Sequence, residues 1–182
     1  MAVIKRRHKR VGAAQGADGL VGAALTPLQV LSLCEANGIS TTPLDVNGLI
    51  EHLGIHIKKK PLQDDVSGYL RKMNGSWEIT INSMHHPRRQ RFTMAHELAH
   101  YFLHSSNQSE FVDRVLFRAN ESNTMEWEAN SFAGELLMPE TAFREMIASG
   151  ARKVEDIARM FGVSAMAVRV RAKQLGYLGH NL

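Results

Sequence analysis

Two histidines and a glutamate stand at a spacing that suits a catalytic metal site. Residues 96–100 follow the pattern His-Glu-x-x-His. On a helix, His96 and His100 lie one turn apart on the same face, so both imidazoles can bind one zinc ion. Glu97 follows the first histidine, where it can take a proton from a zinc-activated water and later pass it to the leaving amine. The pattern therefore predicts metal-assisted hydrolysis with Glu97 as the general base.

A catalytic zinc needs a third protein ligand, and the segment that begins at Glu126 offers one. If this segment is helical, Glu126 and Asn130 share a face. Glu126 can then bind the metal, while Asn130 accepts a hydrogen bond from a ligand histidine. Glu128 points about 160° away from Glu126 on a helical wheel and is the weaker alternative. His104 is another alternative, but we expect it to pack against the site, because one straight helix rarely wraps three side chains around one ion.

Three other residues have reactive side chains but weaker patterns around them. His85 and His86 precede a proline in a predicted loop, and we interpret them as surface histidines, with stabilisation of an oxyanion as the alternative. Cys34 is the single cysteine, so no disulfide can form within the chain, which is typical of a reducing cytosol. Its apolar neighbours favour a small buried side chain over a nucleophile.

The predicted elements place these residues on helices beside a small sheet. Apolar periodicity predicts helices over residues 27–36, 43–53, 87–104 and 125–137. Alternation predicts strands over residues 55–58, 66–72 and 77–82, with a hairpin turn at Asn74-Gly75 between the last two. Trp77, Ile79 and Ile81 would share one face of the sheet. The apolar residues between 111 and 117 are interpreted as a short helix.

The C-terminal segment, residues 148–182, has the pattern of a helix-turn-helix. Gly162 allows a tight turn, and Ser164 can cap the second helix. Arg169, Arg171 and Lys173 could contact phosphates of DNA. The favoured interpretation is a helical scaffold that completes the core, with docking of a protein substrate or contact with DNA as alternatives.

The charge of the chain is concentrated at its start. The net charge is +4, and residues 1–10 hold five basic residues and no acid, which leaves 17 of the 22 basic residues against 18 acidic ones. Residues 1–24 are therefore predicted to be a flexible basic tail, and the rest of the chain gives little reason to expect nucleic-acid binding. No signal peptide or membrane-spanning run is found, so we expect a cytoplasmic protein.

Two long segments around the candidate site resemble the ImmA/IrrE metallopeptidases. Residues 89–104 are similar to that family's active-site helix, residues 126–139 to its second motif, and residues 66–70 to the strand that precedes them. The resemblance extends over about residues 27–178. Two long motifs in the right order are far more specific than His-Glu-x-x-His alone. Gly134, where alanine is more usual, and the basic tail are departures that leave the metal site untouched.

The resemblance implies an α+β, zincin-like fold in which a three-stranded sheet packs beside the active-site helix, and a peptidase core over residues 25–147. It implies Zn²⁺ held by His96, His100 and Glu126 with Glu97 as the base, and an extended substrate pairing with a sheet edge. It also implies an endopeptidase whose substrate is a helix-turn-helix repressor of the Xre type. A toxin of a toxin–antitoxin pair and a non-catalytic module that binds DNA or a regulator are the alternatives.

Overall fold

The computed structural model describes residues 24–113, 124–150 and 153–177, so nearly all of the predicted basic tail lies outside the described residues. Within these ranges helices and strands are intermixed, as expected for an α+β fold. In chain order the elements are α1 (Pro27–Ala36), α2 (Val46–His52), β1 (His56–Lys60), β2 (Gly68–Met73), β3 (Ser76–Asn82), α3 (Pro87–Leu103), β4 (Glu110–Asp113), α4 (Thr124–Leu137), α5 (Glu140–Ala148), α6 (Val154–Phe161) and α7 (Ala165–Gln174). None of the described helices is long and apolar enough to cross a membrane.

The strands form one sheet in the order β1-β3-β2-β4, in which β1 runs parallel to β3 and the other pairs are antiparallel. The predicted turn between β2 and β3 is confirmed. Asn74 and Gly75 both have positive φ, 51° and 85°, as a two-residue hairpin turn requires. Trp77, Ile79 and Ile81 are buried on one face, as the alternation predicts. This face packs against α3, where Trp77 meets Tyr101 edge to face.

The fourth strand corrects two predictions, the three-stranded sheet and the short helix over residues 111–117. Glu110–Asp113 pairs with β2 in antiparallel register, with Phe111 opposite Leu70. Phe111 is buried and Val112 is exposed, so the segment has the two-residue period of a strand. Pairing supplies hydrogen-bond partners along β2 that a helix could not. Residues 114–117 of that prediction lie outside the described residues.

Helix α3 lies between the sheet and α4 and has little contact with solvent along its middle. Every residue from Phe92 to Phe102 is buried. The apolar residues Phe92, Ala95, Ala99 and Phe102 are buried, and Leu103 at the end of the helix is half-buried. The face that carries the histidines is covered as well, so apolar periodicity alone underestimates how much of the helix is buried. His96 and His100 on that face are therefore shielded from bulk solvent.

Helix ends account for most differences between the predicted and observed boundaries. Helix α1 begins as predicted: the Thr26 side chain accepts from the Gln29 amide, and the Gln29 side chain accepts from the Thr26 amide. Helix α2 is shorter than predicted because Asp45 caps its first turn, its carboxylate accepting from the Gly48 amide at 3.0 Å. The bonding capacity of these side chains, and not apolar periodicity, sets where the helices begin.

The C-terminal helix pair is joined to the rest of the apolar core. Gly162 takes a left-handed conformation with φ 66°, and the Ser164 side chain caps α7, both as predicted. Ile157, Phe161 and Val168 are fully buried. Arg171 does not suit the alternative role of contacting phosphates: its side chain is buried, and Nε donates to the Met138 carbonyl at 3.1 Å. Burial lowers the pKa of this guanidinium. Arg171 therefore ties α7 to the end of α4.

The single cysteine is expected to be unreactive in the folded chain. Cys34 is 0% exposed, and burial together with the nearby carboxylates of Glu35 and Asp45 raises the pKa of its thiol to about 11. Since the thiolate is the nucleophile, we expect no modification by iodoacetamide at pH 8 until denaturant is added, as measured by intact mass. Rapid stoichiometric labelling without denaturant would contradict the burial of this residue.

Candidate active site

The two histidines of the His-Glu-x-x-His segment point their rings to the same place. His96 and His100 stand one turn apart on α3, and both are buried. Their Nε2 atoms lie 3.0 Å apart. The rings meet nearly edge to face, with an interplanar angle of 79°. Helix periodicity and burial between the sheet and α4 together produce this convergence.

Helix α4 brings the predicted carboxylate to the same point. Glu126 Oε2 lies 3.2 Å from Nε2 of His96, and Oε1 lies 3.3 Å from Nε2 of His100. One ligand atom from each of the three residues falls within 4.8 Å of the others. The structure thus places His96, His100 and Glu126 together, and this is the group within the described ranges that could hold a metal ion.

The other nitrogen of each ring has its own partner. Nδ1 of His96 lies 3.1 Å from the Asn130 side-chain oxygen, so this nitrogen donates and Nε2 carries a lone pair. Nδ1 of His100 lies 3.0 Å from Nδ1 of His104. The sequence predicted both Asn130 and His104 as partners of the site. In both rings Nε2, the nitrogen that faces Glu126, is therefore available as a ligand atom.

Burial and hydrogen bonding determine the charges at the site. Burial lowers the pKa of His100 to about 4, so its ring is neutral near pH 7. Burial alone would raise the pKa of Glu126, but in the metal-free chain the adjacent rings of His100 and His96 outweigh that effect and hold its pKa well below the ordinary range. The site therefore combines neutral imidazole with a carboxylate anion. Both are the protonation states that a metal ion requires of its ligands.

The donor set fits a metal ion. Two imidazole nitrogens and two carboxylate oxygens converge at this site. If both rings donate from Nδ1, all four of these atoms are acceptors and no hydrogen bond can form among them. Such a concentration of acceptors is stabilised by a cation between them. Two histidines and one glutamate also form the ligand set of a well-known class of catalytic zinc sites, which leaves the fourth position open.

Two residues next to the site were not assigned to it from the sequence. The Phe111 ring stacks on His100 with centroids 4.7 Å apart and planes 15° from parallel. Glu128 does not join the metal-ligand group, as its position on the helical wheel predicts. Instead, its Oε2 lies 3.0 Å from Nε2 of His104. The alternating pattern at residues 110–112 was the one signal for Phe111, and it is too short to be distinctive.

The remaining predicted residues lie around this group. Glu97 is 0% exposed and follows the first histidine on α3. His86 caps the start of the same helix, where its Nδ1 accepts from the Arg88 amide at 3.2 Å. The backbone carbonyl of His85 accepts from Gln90. These two histidines have local structural contacts at the far end of α3 from His100, and neither belongs to the metal-ligand group.

Comparison with known proteins now decides the family. Residues 50–173 match Peptidase_M78, described as the IrrE N-terminal-like domain. The chain belongs to the Peptidase_M78 family. The match contains β1 to α6, most of α7 and all the residues of the candidate site. The resemblance drawn from the two motifs is therefore confirmed, and membership of this family indicates a peptidase.

Two similar proteins extend the comparison. The "Uncharacterized immunity region protein 2" of Bacillus phage phi105 is 30% identical over 118 residues, which cover 64% of this chain and 72% of the phage protein. A solved structure, described as a Mycobacterium tuberculosis transcriptional regulator, superposes with a TM-score of 0.58 at 21% identity. That alignment covers 81% of this chain but 46% of the regulator, so the chain spans about half of it. This second likeness concerns the fold.

Proposed function

We propose that the chain is a zinc-dependent endopeptidase that cleaves a regulatory protein, with a helix-turn-helix repressor of the Xre type as its substrate. The observation that supports this most directly is the convergence of His96, His100 and Glu126 within 4.8 Å. The side chains of His96 and His100 are 0% and 1% exposed, and a buried cluster of lone pairs beside a carboxylate is costly unless a cation pairs with it. Membership of a peptidase family points to the same chemistry.

The three residues divide the work of holding the metal. His96 and His100 present Nε2, since their Nδ1 atoms are engaged by Asn130 and His104. Glu126 adds a negative charge and completes a set of three ligands. When bound, zinc supplies Lewis acidity, which polarises a carbonyl and makes water more acidic. The chain itself supplies a site closed on the side of the sheet and α4.

Glu97 is proposed to move the proton during hydrolysis. It is adjacent to His96 on α3, and its carboxylate is fully buried. In this role it accepts a proton from the attacking water and then donates it to the nitrogen of the departing amine. The product is a carboxylic acid and an amine, so one water is consumed for each peptide bond cleaved.

The edge of the sheet offers a place for an extended substrate. Strand β4 pairs with β2, and in the described part of the chain its other side has no strand next to it. Phe111 of this strand stacks on His100, which places the edge beside the candidate metal site. A peptide that adds a strand to this edge would pass close to the metal with its backbone extended. We therefore infer that an unfolded or flexible segment of the substrate is cleaved.

The choice of a repressor as substrate is supported by the family resemblance and by a relative. One similar protein is encoded in the immunity region of a phage. We propose that this chain acts on a repressor, whose proteolysis would relieve repression. The resemblance to ImmA/IrrE peptidases implies the same class of substrate.

The proposal is tested with the regulator encoded next to the gene for this chain. We expect the zinc-loaded chain to convert that regulator into two fragments whose masses sum to the intact mass plus one water. Preincubation with 1,10-phenanthroline should abolish cleavage, added zinc should restore it, and the non-chelating isomer 1,7-phenanthroline should have no effect. Intact mass measurement reports all four results. Cleavage that persists in the chelator would contradict the metal-dependent mechanism, and an intact regulator would contradict the proposed substrate.

A further inference from the structure

A chain of hydrogen bonds leads from the candidate metal site to the surface through three side chains. Nδ1 of His100 lies 3.0 Å from Nδ1 of His104, and Nε2 of His104 lies 3.0 Å from Oε2 of Glu128. The His104 side chain is 9% exposed, whereas the Glu128 side chain is 45% exposed. Together these contacts extend the site by two residues that belong neither to the metal ligands nor to the general base.

The hydrogens in this chain have one consistent arrangement. This arrangement rests on the proposed metal site. If Nε2 of His100 binds the metal, the hydrogen of the neutral ring must be on Nδ1. Nδ1 of His104 must then accept, which leaves the hydrogen of the His104 ring on Nε2. Nε2–H of His104 then donates its hydrogen bond to the Glu128 carboxylate, which is an acceptor. A His104 ring with a hydrogen on Nδ1 would place two donors 3.0 Å apart.

We propose that His104 and Glu128 are a positioning pair that fixes the tautomer and the ring plane of His100. Glu128 selects the Nε2–H form of His104, and this form accepts the Nδ1 hydrogen of His100. The Phe111 ring holds the same imidazole from its face. The ring of His100 is thereby held with Nε2 toward Glu126 and the proposed metal position, and this positioning raises metal affinity by reducing the cost of ordering the ligand.

The two metal-binding histidines are thus oriented by two different residues of α4. Asn130 contacts His96 directly, whereas Glu128 acts on His100 through His104. The ligand Glu126 lies on the same two turns of α4. Residues 126, 128 and 130 therefore supply one ligand and both orienting groups. The proposal thus gives a role to Glu128, the second carboxylate at the start of α4, where the metal takes only Glu126 as a ligand.

The first test measures the tautomer of the His104 ring and does not depend on measuring enzyme activity. In the zinc-loaded chain with ¹⁵N-labelled histidine, we expect long-range ¹H–¹⁵N spectra to show His104 protonated at Nε2 and unprotonated at Nδ1. The signals are assigned by their absence in His104→Gln. A His104 ring protonated at Nδ1, or at both nitrogens, would overturn the proposal.

The second test measures zinc affinity by competition with a chromophoric chelator. Glu128→Ala is expected to weaken zinc binding about 10-fold, the lower end of what orienting partners of metal ligands contribute. Glu128→Gln should recover part of that loss, because the amide oxygen can accept the same hydrogen. Glu135→Ala is the matched control, since Glu135 lies on the same helix and lines the same surface pocket as His104 and Glu128. Its affinity should equal that of the original chain.

The outcomes separate this inference from the proposed function. Equal zinc affinity in Glu128→Ala and Glu135→Ala, with zinc still bound by both, would contradict the positioning pair and leave the metallopeptidase assignment intact. A chain that binds no zinc at all would contradict the proposed function, and the positioning pair with it. Thermal unfolding of the metal-free variants shows whether a loss of affinity comes from a loss of fold.

Discussion

Replacing Glu97 with glutamine is expected to lower the rate of peptide hydrolysis by about 10²–10⁴-fold, the usual contribution of a general base. Glutamine has nearly the same shape as glutamate but cannot accept the proton of the attacking water. Because the side chain is completely buried, no bulk water can substitute for it at that position. Initial rates of cleavage of the regulator, measured by fragment mass, give the comparison.

Metal content determines how the Glu97→Gln result is interpreted. Glu97 is not among the three residues whose ligand atoms converge, so the variant should retain about as much zinc as the original chain. Loss of activity with zinc retained identifies a role in proton transfer. Glu135→Gln, which removes a carboxylate elsewhere, should retain full activity. Undiminished proteolysis by Glu97→Gln would show that the base lies elsewhere.

The local features of the fold could be predicted from the sequence because each depends on a few adjacent residues. The hairpin needs positive φ at two positions, and Asn74-Gly75 supplies it. The start of α1 depends on the reciprocal bonds of Thr26 and Gln29. The convergence of His96, His100 and Glu126 was predicted from residue types and motif spacing, because one helix fixes the two histidines and a second motif supplies the carboxylate.

The features that were missed depend on contacts between distant parts of the chain. Strand β4 exists because β2 offers unpaired hydrogen-bonding groups, and nothing in residues 110–113 alone indicates that partner. Arg171 has the charge of a DNA-contacting residue, but its burial depends on α4. The helical wheel directed Glu128 away from the metal-ligand group, but it could not show the contact with His104, because that contact depends on how α4 packs against the end of α3. Residue types and local spacing therefore predicted the convergence of the three candidate ligands better than the contacts that surround them.

Replacing Glu126 with alanine is expected to remove most of the bound zinc. The two histidines would remain, but a buried site with two neutral ligands has lost both its negative charge and a third of its ligands. Loss of a partner that orients a ligand lowers metal affinity about 10–100-fold, and we expect the zinc affinity of Glu126→Ala to fall by more than that. Competition with a chromophoric chelator measures the affinity, and elemental analysis of the purified protein gives the zinc content.

The comparison of Glu126→Ala with Glu128→Ala decides which carboxylate binds the metal. The two residues are two positions apart on α4 and both are acidic; Glu126 contacts His100 within α3, and Glu128 contacts His104, which caps the end of α3. Zinc affinity should decrease in the order Glu135→Ala, Glu128→Ala, Glu126→Ala, because the first residue lies outside the site, the second orients a ligand and the third is a ligand. A larger loss in Glu128→Ala than in Glu126→Ala would reverse the assignment. The metal would then have to bind on the His104 side of His100, and the proposed roles of both carboxylates would be wrong.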